Sequence, residues 1–571
     1  MCSSKKPSIS CDAHPRRALR PLLAVLVVAG SPQVAQAAAA PDAGSILQQI
    51  QPVTPPAPSP RGTGLSVEGE AAARLPSSAP FEVKAIAIYG NTLFDTPTLH
   101  ALVADAEGKS LTLTQLGELA ARITDHYRSH GYPLSRAIIP AQTIQSGIVR
   151  IEIIEARYGR IGLDNRSRVN DALLEATLSR LQSGQPVTQG ELDRALLLLS
   201  DIPGIVMGAT LKPGEAVGTS DLLVNATPGR MISGYGIMDN YGNRYTGRVR
   251  VGATIHFSNP LHHGDLLSAS VLSSGSGMSY GRLGYESLLN GQGTRVGAAY
   301  SALRYTLGES LASLNAHGAA EVGSVWAKHP LVRSPDINLY GQVRYDRLQL
   351  RDHIDVIAIQ TDRHLENWTA SLSGDARDAF LSNAVSTWSV GWTSGRVAFD
   401  DEGARLADAA TARTGRRFSK WTTNVSRLQS LGARNTLYLA FSGQWANANL
   451  DSSEKMTVGG PYSVRAYDVG AVAGDTGYFG TAELRRDLGS ALSGRWQAIA
   501  FVDTAKVTVN ETPWGAGTNT ATLSGAGVGL DWTGPSQWHA RTYIAMRIGA
   551  TPTLVARSES PRAWIEVSKG F

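Results

Sequence analysis

One arginine in a loop of small and aromatic residues is the side chain in this sequence best placed to make a specific ionic contact. Arg465 lies within residues 459–467 (GGPYSVRAY), and the later alternating segment Phe501-Val502-Asp503 supplies a carboxylate. A guanidinium pairs best with a carboxylate, because its planar fork matches both oxygens. If the surrounding strands form a wide barrel, the loop arginine and a lumen-facing Asp503 are expected to meet. The alternative is that Arg465 is a solvated surface residue.

The region that must position these residues is patterned as strands. Residues 230–571 alternate in segments of about ten residues, the length of a membrane-spanning strand, separated by turn signals such as Asn259-Pro260 and Asn290-Gly291. All eleven Trp and fourteen of the eighteen Tyr lie in this region, as expected of the aromatic girdles of a membrane barrel. At roughly 21 residues per strand and connection, the region predicts about sixteen antiparallel strands, with fourteen or eighteen as alternatives.

The first 37 residues have the pattern of a secretory signal peptide. A basic start precedes the apolar run 22–29 and a small-residue cleavage site at Ala35-Gln36-Ala37. The only two cysteines, Cys2 and Cys11, lie in this segment, so no disulfide or thiolate metal site is expected in the mature protein. The segment also carries +4 of the formal net charge of +5. The remainder is close to neutral, which gives no support for a nucleic-acid partner.

A short helix and a Pro-rich stretch follow. Residues 38–51 contain a candidate helix, Pro41–Gln51, which Asp42 can cap and whose one apolar stripe consists of Ile46, Leu47 and Ile50. Three apolar residues cannot hold so short a helix alone, so it must dock on another surface. Residues 52–79 read as an extended linker.

Two small α+β modules come next, at residues 80–157 and 158–229. Each has the predicted order strand, helix, helix, strand, strand, so the two form an internal structural repeat. The middle strand of each module is expected at a sheet edge with unpaired backbone groups, which can accept an extended peptide. The alternative is a simply solvated edge. In the second module this predicted docking strand comprises Ile205, Val206, Met207, Gly208, Ala209, Thr210 and Leu211.

This layout resembles the outer-membrane transporters of two-partner secretion (TpsB type), in which the modules are called POTRA domains. The hairpin segments 239–247 and 259–265 are similar to the first barrel hairpins of that family, and the chain ends in Phe571, like its terminal barrel signal. The loop Val464, Arg465, Ala466, Tyr467 is similar to the family's VRGY motif, and Phe501 with Asp503 to its F/G-x-D motif. Ala466 replaces the family's glycine. If that position needs a positive φ, the alanine costs about 1 kcal/mol.

The resemblance implies a function. A large exoprotein (TpsA type) is caught unfolded by the POTRA domains in the periplasm of a Gram-negative bacterium and passes through the barrel without nucleotide hydrolysis. Arg465 would pair with Asp503, and with Glu483 as a second carboxylate, while the N-terminal helix plugs the resting pore. Lipid, lipopolysaccharide and the barrel-assembly machinery are the other implied partners, and no cofactor is implied.

Two other motifs in the sequence are typical of different functions. Residues 277–281 satisfy G-x-S-x-G, but no helix follows, as a nucleophile elbow requires. The pair His262-His263 has no third ligand at metal spacing. We therefore predict neither a catalytic nor a metal site, and no enzymatic activity. A barrel-assembly insertase, and less so a passive porin or receptor, remain alternatives.

Overall fold

The computed structural model describes residues 40–50, 57–68, 78–144, 146–556 and 559–571. The predicted signal peptide and part of the predicted linker lie outside these residues. In the described N-terminal part, helix α1 spans Ala43–Ile50 and strand β1 spans Leu65–Val67. The sequence predicts an extended linker over residues 52–79, and β1, which lies within it, joins a sheet of the second module.

The first module contains β2 (Phe81–Val83), β3 (Ala85–Tyr89), α2 (Thr96–Ala101), β4 (Lys109–Leu111), α3 (Leu113–Ser129), β5 (Arg136–Ile138) and β6 (Ile148–Ile154). The strand predicted over 81–89 is in fact two strands, because Lys84 N donates to Gly147 O at 2.7 Å and redirects the chain. β2 then pairs with β4, whereas β3 pairs with β6.

A buried carboxylate fastens helix α3 of this module to the loop that follows β3. Glu155 Oε1 accepts hydrogen bonds from Thr92 N at 2.7 Å, Leu93 N at 2.8 Å and Tyr127 Oη at 2.8 Å. Burial opposes the charged form, but these hydrogen bonds prevail and lower the pKa of Glu155. The carboxylate thus fixes α3, through Tyr127, against the chain after β3.

The second module contains β7 (Arg157–Asn165), α4 (Asp171–Leu178), α5 (Gln189–Ser200), β8 (Ile205–Pro213) and β9 (Thr219–Pro228). Its sheet has the order β1-β8-β9-β7. Leu192, Leu196 and Leu199 lie on one face of α5 and are buried in the module core, as their spacing predicts.

Sixteen antiparallel strands then close into a barrel, which confirms the predicted fold class. They are β10 (Ile232–Asp239), β11 (Arg250–Ser258), β12 (Leu266–Ser273), β13 (Met278–Leu288), β14 (Arg295–Thr306), β15 (Ala316–Arg333), β16 (Ile337–Ile354), β17 (Ile359–Asp378), β18 (Ala384–Phe399), β19 (Arg417–Ser430), β20 (Asn435–Ala446), β23 (Thr476–Ala491), β24 (Gly494–Thr508), β25 (Thr520–Thr533), β26 (Trp538–Arg547) and β27 (Arg562–Gly570). A small hairpin, β21 (Met456–Val458) and β22 (Val472–Gly474), lies in the connection after β20, and helix α6 spans Glu402–Ala410.

The barrel closes between β10 and β27. Residues 235–239 pair with residues 566–570, and the terminal Phe571 exchanges two backbone hydrogen bonds with Gly234. Along the wall, buried lumen-facing residues alternate with exposed apolar ones, as Phe501 and Val502 illustrate. None of the described helices has the length and apolarity to cross a membrane.

Candidate functional site

The connection 447–475 between β20 and β23 folds into the barrel. β10 starts directly after the second module, and β20 is the eleventh barrel strand, so this connection begins at the end remote from the modules. Gly459 and Gly460 adopt positive φ values of 102° and 104°, a backbone conformation that other residues rarely adopt. Together with a hydrogen bond from Gly459 N to Ser463 Oγ at 2.7 Å, they turn the chain toward the wall.

The tip of this loop carries Arg465, which pairs with two carboxylates. Nε lies 2.9 Å from Asp503 Oδ2, and Nη2 lies 2.7 Å from Asp503 Oδ1. Nη1 donates to Glu483 Oε1 at 2.6 Å, and Nη2 also donates to Thr481 Oγ1 at 3.0 Å. Arg465 is 3% exposed and Asp503 is fully buried. The structure therefore brings together the three charged residues singled out in the sequence.

Aromatic rings and a second arginine complete the surroundings of this guanidinium. Arg465 Cζ lies 3.4 Å from the ring centroid of Phe501 and 4.8 Å from that of Tyr543, which adds cation–π attraction. The other oxygen of Glu483, Oε2, accepts from Arg485 Nη2 at 2.6 Å. The network holds two cations and two anions. Removal of Arg465 would leave Asp503 buried without a cationic partner in this network, at a cost of about 3–5 kcal/mol.

The backbone around Arg465 is fixed as well. Arg465 N donates to Asp503 Oδ2 at 3.1 Å, and Trp564 Nε1 of the last strand donates to Arg465 O at 2.7 Å. Val464, Ala466 and Tyr467 are fully buried. The loop tip is thus attached to β24 and to the last strand, β27, through side-chain and backbone contacts together.

The alanine that replaces the family glycine is not strained. Among the described non-glycine residues with positive φ, Ala466 does not occur, so the cost considered for that case does not arise. Its methyl group instead packs against Gly525, which pairs directly with Asp503 across β24 and β25. Sequence reasoning missed Gly525, because nothing in the pattern of β25 indicates which glycine lies under the loop.

We expect Gly525→Ala to displace the loop tip. A Cβ at this position would lie 2.5 Å from the Ala466 methyl carbon, and overpacking of this kind costs about 1–3 kcal/mol. The double variant Gly525→Ala/Ala466→Gly removes that clash. It should therefore restore most of the loop's protection from proteolysis. Limited proteolysis of the loop in membrane preparations measures the effect. Equal protection of Gly525→Ala and the unmodified protein would contradict this packing.

Helix α1 lies in the lumen. Its residues Ala43, Ile46 and Leu47 are buried, and Ile50 packs at the edge of the same cluster. The wall contributes lumen-facing apolar side chains from strands β13–β19, among them Tyr280, Leu303, Leu348, Leu350 and Phe418. Gln48 Nε2 donates to Ser453 O of the inward loop. The helix therefore contacts both the wall and the loop.

Arg363 of β17 binds the residue that precedes this helix. Its guanidinium contacts Asp42 Oδ2 at 2.8 Å, Asp352 Oδ2 at 2.7 Å and Asp451 Oδ2 at 2.5 Å. Arg363 is 3% exposed. Asp42 also accepts from Ser45 N at 2.9 Å, as expected of a capping residue. Sequence reasoning missed this cluster, because its members come from three distant regions of the chain: Asp42, the hairpin that carries Asp352 and Arg363, and Asp451.

The predicted docking strand Ile205–Leu211 forms most of β8. Its inner side pairs with β9, but β1 pairs in parallel with its outer side at Ala209, Thr210 and Leu211. The expectation of unpaired backbone groups is therefore wrong for these three residues. A strand of three residues is too short to show an alternating pattern, so the sequence of the linker does not predict β1.

The rival motifs do not form chemical sites. Residues 278–281 lie on strand β13, with no helix after them, and His262 and His263 lie in the turn between β11 and β12. Among the described residues, no cluster of three or more His, Cys, Asp or Glu side chains could hold a metal ion.

A closed sixteen-stranded barrel, with POTRA-type modules before it and a helix and an inward loop in its lumen, defines an outer-membrane polypeptide transporter. The chain belongs to the haemolysin secretion/activation protein family ShlB/FhaC/HecB, whose sequence profile matches residues 218–532. A ShlB-type POTRA profile matches residues 81–156. The function implied by the resemblance is thereby confirmed: this is a two-partner secretion transporter of the Gram-negative outer membrane, with its POTRA domains in the periplasm.

Similar proteins agree with this assignment. The heme/hemopexin transporter protein HuxB of Haemophilus influenzae is 27% identical over 455 residues, which cover 78% of this chain and 80% of that protein. The outer membrane transporter CdiB of Escherichia coli is 24% identical and covers 81% of each chain. The solved structure of Escherichia coli CdiB superposes with a TM-score of 0.68 at 21% identity, over 88% of this chain and 93% of that one. This last likeness concerns the fold.

Proposed function

We propose that the chain captures one large unfolded exoprotein on its second module and passes it through the barrel, which opens when α1 leaves the lumen. The observation that carries this proposal is that two segments of the chain itself, α1 and the loop 447–475, fill the lumen. Neither is part of the wall, so each can move without breaking the barrel sheet. A passive porin has no need of two periplasmic modules or of a helix held in its lumen.

Capture is assigned to the edge of β8. Along Ile205–Gly208 the outer side of the strand lies beyond the residues paired with β1, and Val206 is 59% exposed. An extended, unfolded segment can add to such an edge through backbone hydrogen bonds, which do not depend on its sequence. This suits a partner that arrives unfolded.

The proposal also assigns roles to the loop contacts, to α1, to the apolar belt and to Phe571. Arg465, Asp503 and Glu483 hold the loop in its working position, and α1 with Ile46, Leu47 and Ile50 is the plug. The chain makes and breaks no covalent bond, so it is not an enzyme. The exposed apolar belt of the wall contacts outer-membrane lipid and lipopolysaccharide, and Phe571 at the closing strand is the feature that the barrel-assembly machinery reads.

The proposal is tested by producing the chain in Escherichia coli together with a candidate cargo, chosen by searching the neighbouring genes for one that encodes a very large exported protein. We expect the cargo at the cell surface or in the medium only when this chain is present. Export without the chain would refute the proposal. Levels of unrelated outer-membrane barrels serve as the control, because an insertase would change those levels and a dedicated transporter would not.

A further inference from the structure

Strand β16 is long enough to protrude from the membrane on the side remote from the modules. It begins beside the second module, where Arg333 at the end of β15 pairs with Asp201, and it continues for 18 residues. A tilted strand needs only about 9–11 residues to cross the bilayer, so the residues from about position 347 onward lie at or above the outer membrane surface.

Arginines occupy outward-facing positions near this level. Leu348 and Leu350 pack in the lumen with α1, so the alternate residues of β16, Tyr345 and Arg347, face outward. The strand register extends the same alternation to β14, β18 and β19. It turns three further exposed arginines outward, and the four together form the arginine patch: Arg304, Arg347, Arg396 and Arg417.

Outward-facing aromatic rings lie on the membrane side of the arginine patch. Tyr345 and Trp368 are opposite each other on β16 and β17, with ring centroids 5.0 Å apart, and Trp392 is opposite Trp421 on β18 and β19. Such rings mark the membrane–water interface of a barrel. Each arginine of the patch lies two or four residues beyond an aromatic residue of its own strand, which for β14 is Tyr300. The guanidinium groups therefore reach the level of the lipid head groups.

The arginine patch has no partner within the part of the chain that the structure describes. None of its four guanidinium groups forms a hydrogen bond or an ion pair with a described residue, although Glu366 is opposite both Arg347 and Arg396 in register. Arg396 and Arg417 are themselves directly opposite each other. Cβ atoms in such a pair lie about 4.5–5.5 Å apart, and like charges there repel each other. An anion from outside the chain would remove this repulsion.

Other charged groups on the wall do not neutralise the patch. Glu321 accepts a hydrogen bond from Arg351 Nη1 at 3.2 Å, and Asp400 Oδ1 lies 2.7 Å from His364 Nδ1. These carboxylates are therefore already paired. On the other half of the barrel, strands β23–β27 and β10–β13, the described outward-facing residues near the remote end include one cation, Lys506. The unpaired positive charge is thus concentrated on one side of the barrel.

We infer that the arginine patch binds the phosphate groups of lipid A, the membrane anchor of lipopolysaccharide. A guanidinium pairs with a phosphate through two parallel hydrogen bonds, and one phosphate between Arg396 and Arg417 would neutralise both. Lipid A presents phosphates at the head-group level and acyl chains below them, which matches arginines above an aromatic and apolar surface. The inference rests on the proposed contact of the wall with lipopolysaccharide and gives that contact a site and a chemical group.

Thermal unfolding of the full-length transporter in detergent tests the inference. The probes are lipid A with both phosphates, dephosphorylated lipid A and phosphatidylglycerol. The test variant is Arg396→Gln/Arg417→Gln, and the matched control is Lys506→Gln, which removes an exposed cation from the other half of the wall. We expect phosphorylated lipid A to raise the Tm of the unmodified protein and of the control equally, because binding stabilises the folded state. Half-saturation of the double variant should need at least about tenfold more of this lipid.

The three probes separate the outcomes. Equal affinity of the double variant and the unmodified protein for phosphorylated lipid A would overturn the inference, and so would equal stabilisation by phosphatidylglycerol. If dephosphorylated lipid A stabilises as strongly as the phosphorylated form, the wall contacts lipid A through acyl chains alone, and the inference fails while the proposed contact stands. If neither form stabilises the unmodified protein, the proposed contact itself is wrong. The cargo takes no part in the measurement, so the outcome is independent of capture and export.

Discussion

Replacing Arg465 by alanine is expected to abolish export of the cargo, or to reduce it at least about tenfold, while the barrel still inserts into the outer membrane. The substitution leaves Asp503 buried with only the hydroxyl group of Thr481 as a side-chain partner among the contacts described. Breaking a buried ion pair in this way costs about 3–5 kcal/mol. That is enough to shift the loop by more than about a hundredfold away from its lumen position. Surface display of the cargo, normalised to the amount of folded barrel, measures the loss.

The matched control is Arg351→Ala. Arg351 lies on a barrel strand and, like Arg465, pairs with a carboxylate: Glu321 lies 3.2 Å away, but both side chains are more than 40% exposed. An exposed pair contributes little, so this variant should export normally. Arg465→Lys is expected to behave nearly like the alanine variant, because an ammonium group cannot pair with Asp503 through two parallel hydrogen bonds while stacking on Phe501. Near-normal export by Arg465→Ala would refute the assigned role.

A charge exchange provides the sharper test of coupling. Arg465→Asp/Asp503→Arg restores the pair between loop and wall, but it also places the new carboxylate beside Glu483, which lies 2.6 Å from Arg465 Nη1 in the unmodified protein. We expect partial recovery of export relative to either single variant, and fuller recovery when Glu483→Gln is added. Equal export by the double and single variants would show that the pair itself does not matter.

Deleting residues 41–51 is expected to convert a mostly closed pore into a mostly open one in planar bilayers, with little loss of export. Ile46 is 1% exposed and Leu47 is 7% exposed. Burial of such side chains stabilises the docked helix by about 1.5–3 kcal/mol each. Once the helix is gone, Arg363 keeps Asp352 and Asp451 as partners, so no unpaired charge remains on the wall. Unchanged conductance would disprove the plug assignment.

A point variant should open the pore without a deletion. A Cβ on Gly44 would lie 2.6 Å from Ser453 N and 2.9 Å from Ser453 Cβ, so Gly44→Val cannot dock as the unmodified helix does. The matched control is Gly62→Val, because nothing lies within 4 Å of a Cβ on that linker glycine. We expect higher conductance for the first variant and unchanged conductance for the second. High conductance in both would point to the linker rather than to the docked helix.

Local sequence patterns were sufficient to predict the architecture of the chain. The alternation of residues 230–571 predicted about sixteen barrel strands, and the spacing of Leu192, Leu196 and Leu199 predicted the helix face that lies in the core of the second module. These features follow from the period of each element and from the solvent on either side of it, which a sequence displays directly. Pairing of Arg465 with Asp503 was accessible for a related reason, since few charged residues lie near either motif.

Other features depend on where distant segments meet. The division of 81–89 into two strands depends on Gly147, and the methyl group of Ala466 packs against a glycine about sixty residues away.

By itself, then, the sequence determined an exported barrel with two modules, a short apolar helix and a charged loop motif. Only the tertiary structure decided that Arg363 gathers Asp42, Asp352 and Asp451, and that Leu65–Val67 cover part of β8. The physical reason is that both contacts are made by single side chains or very short strands. Such segments leave no periodic signal, and their partners are chosen by the closure of the barrel and the path of the linker.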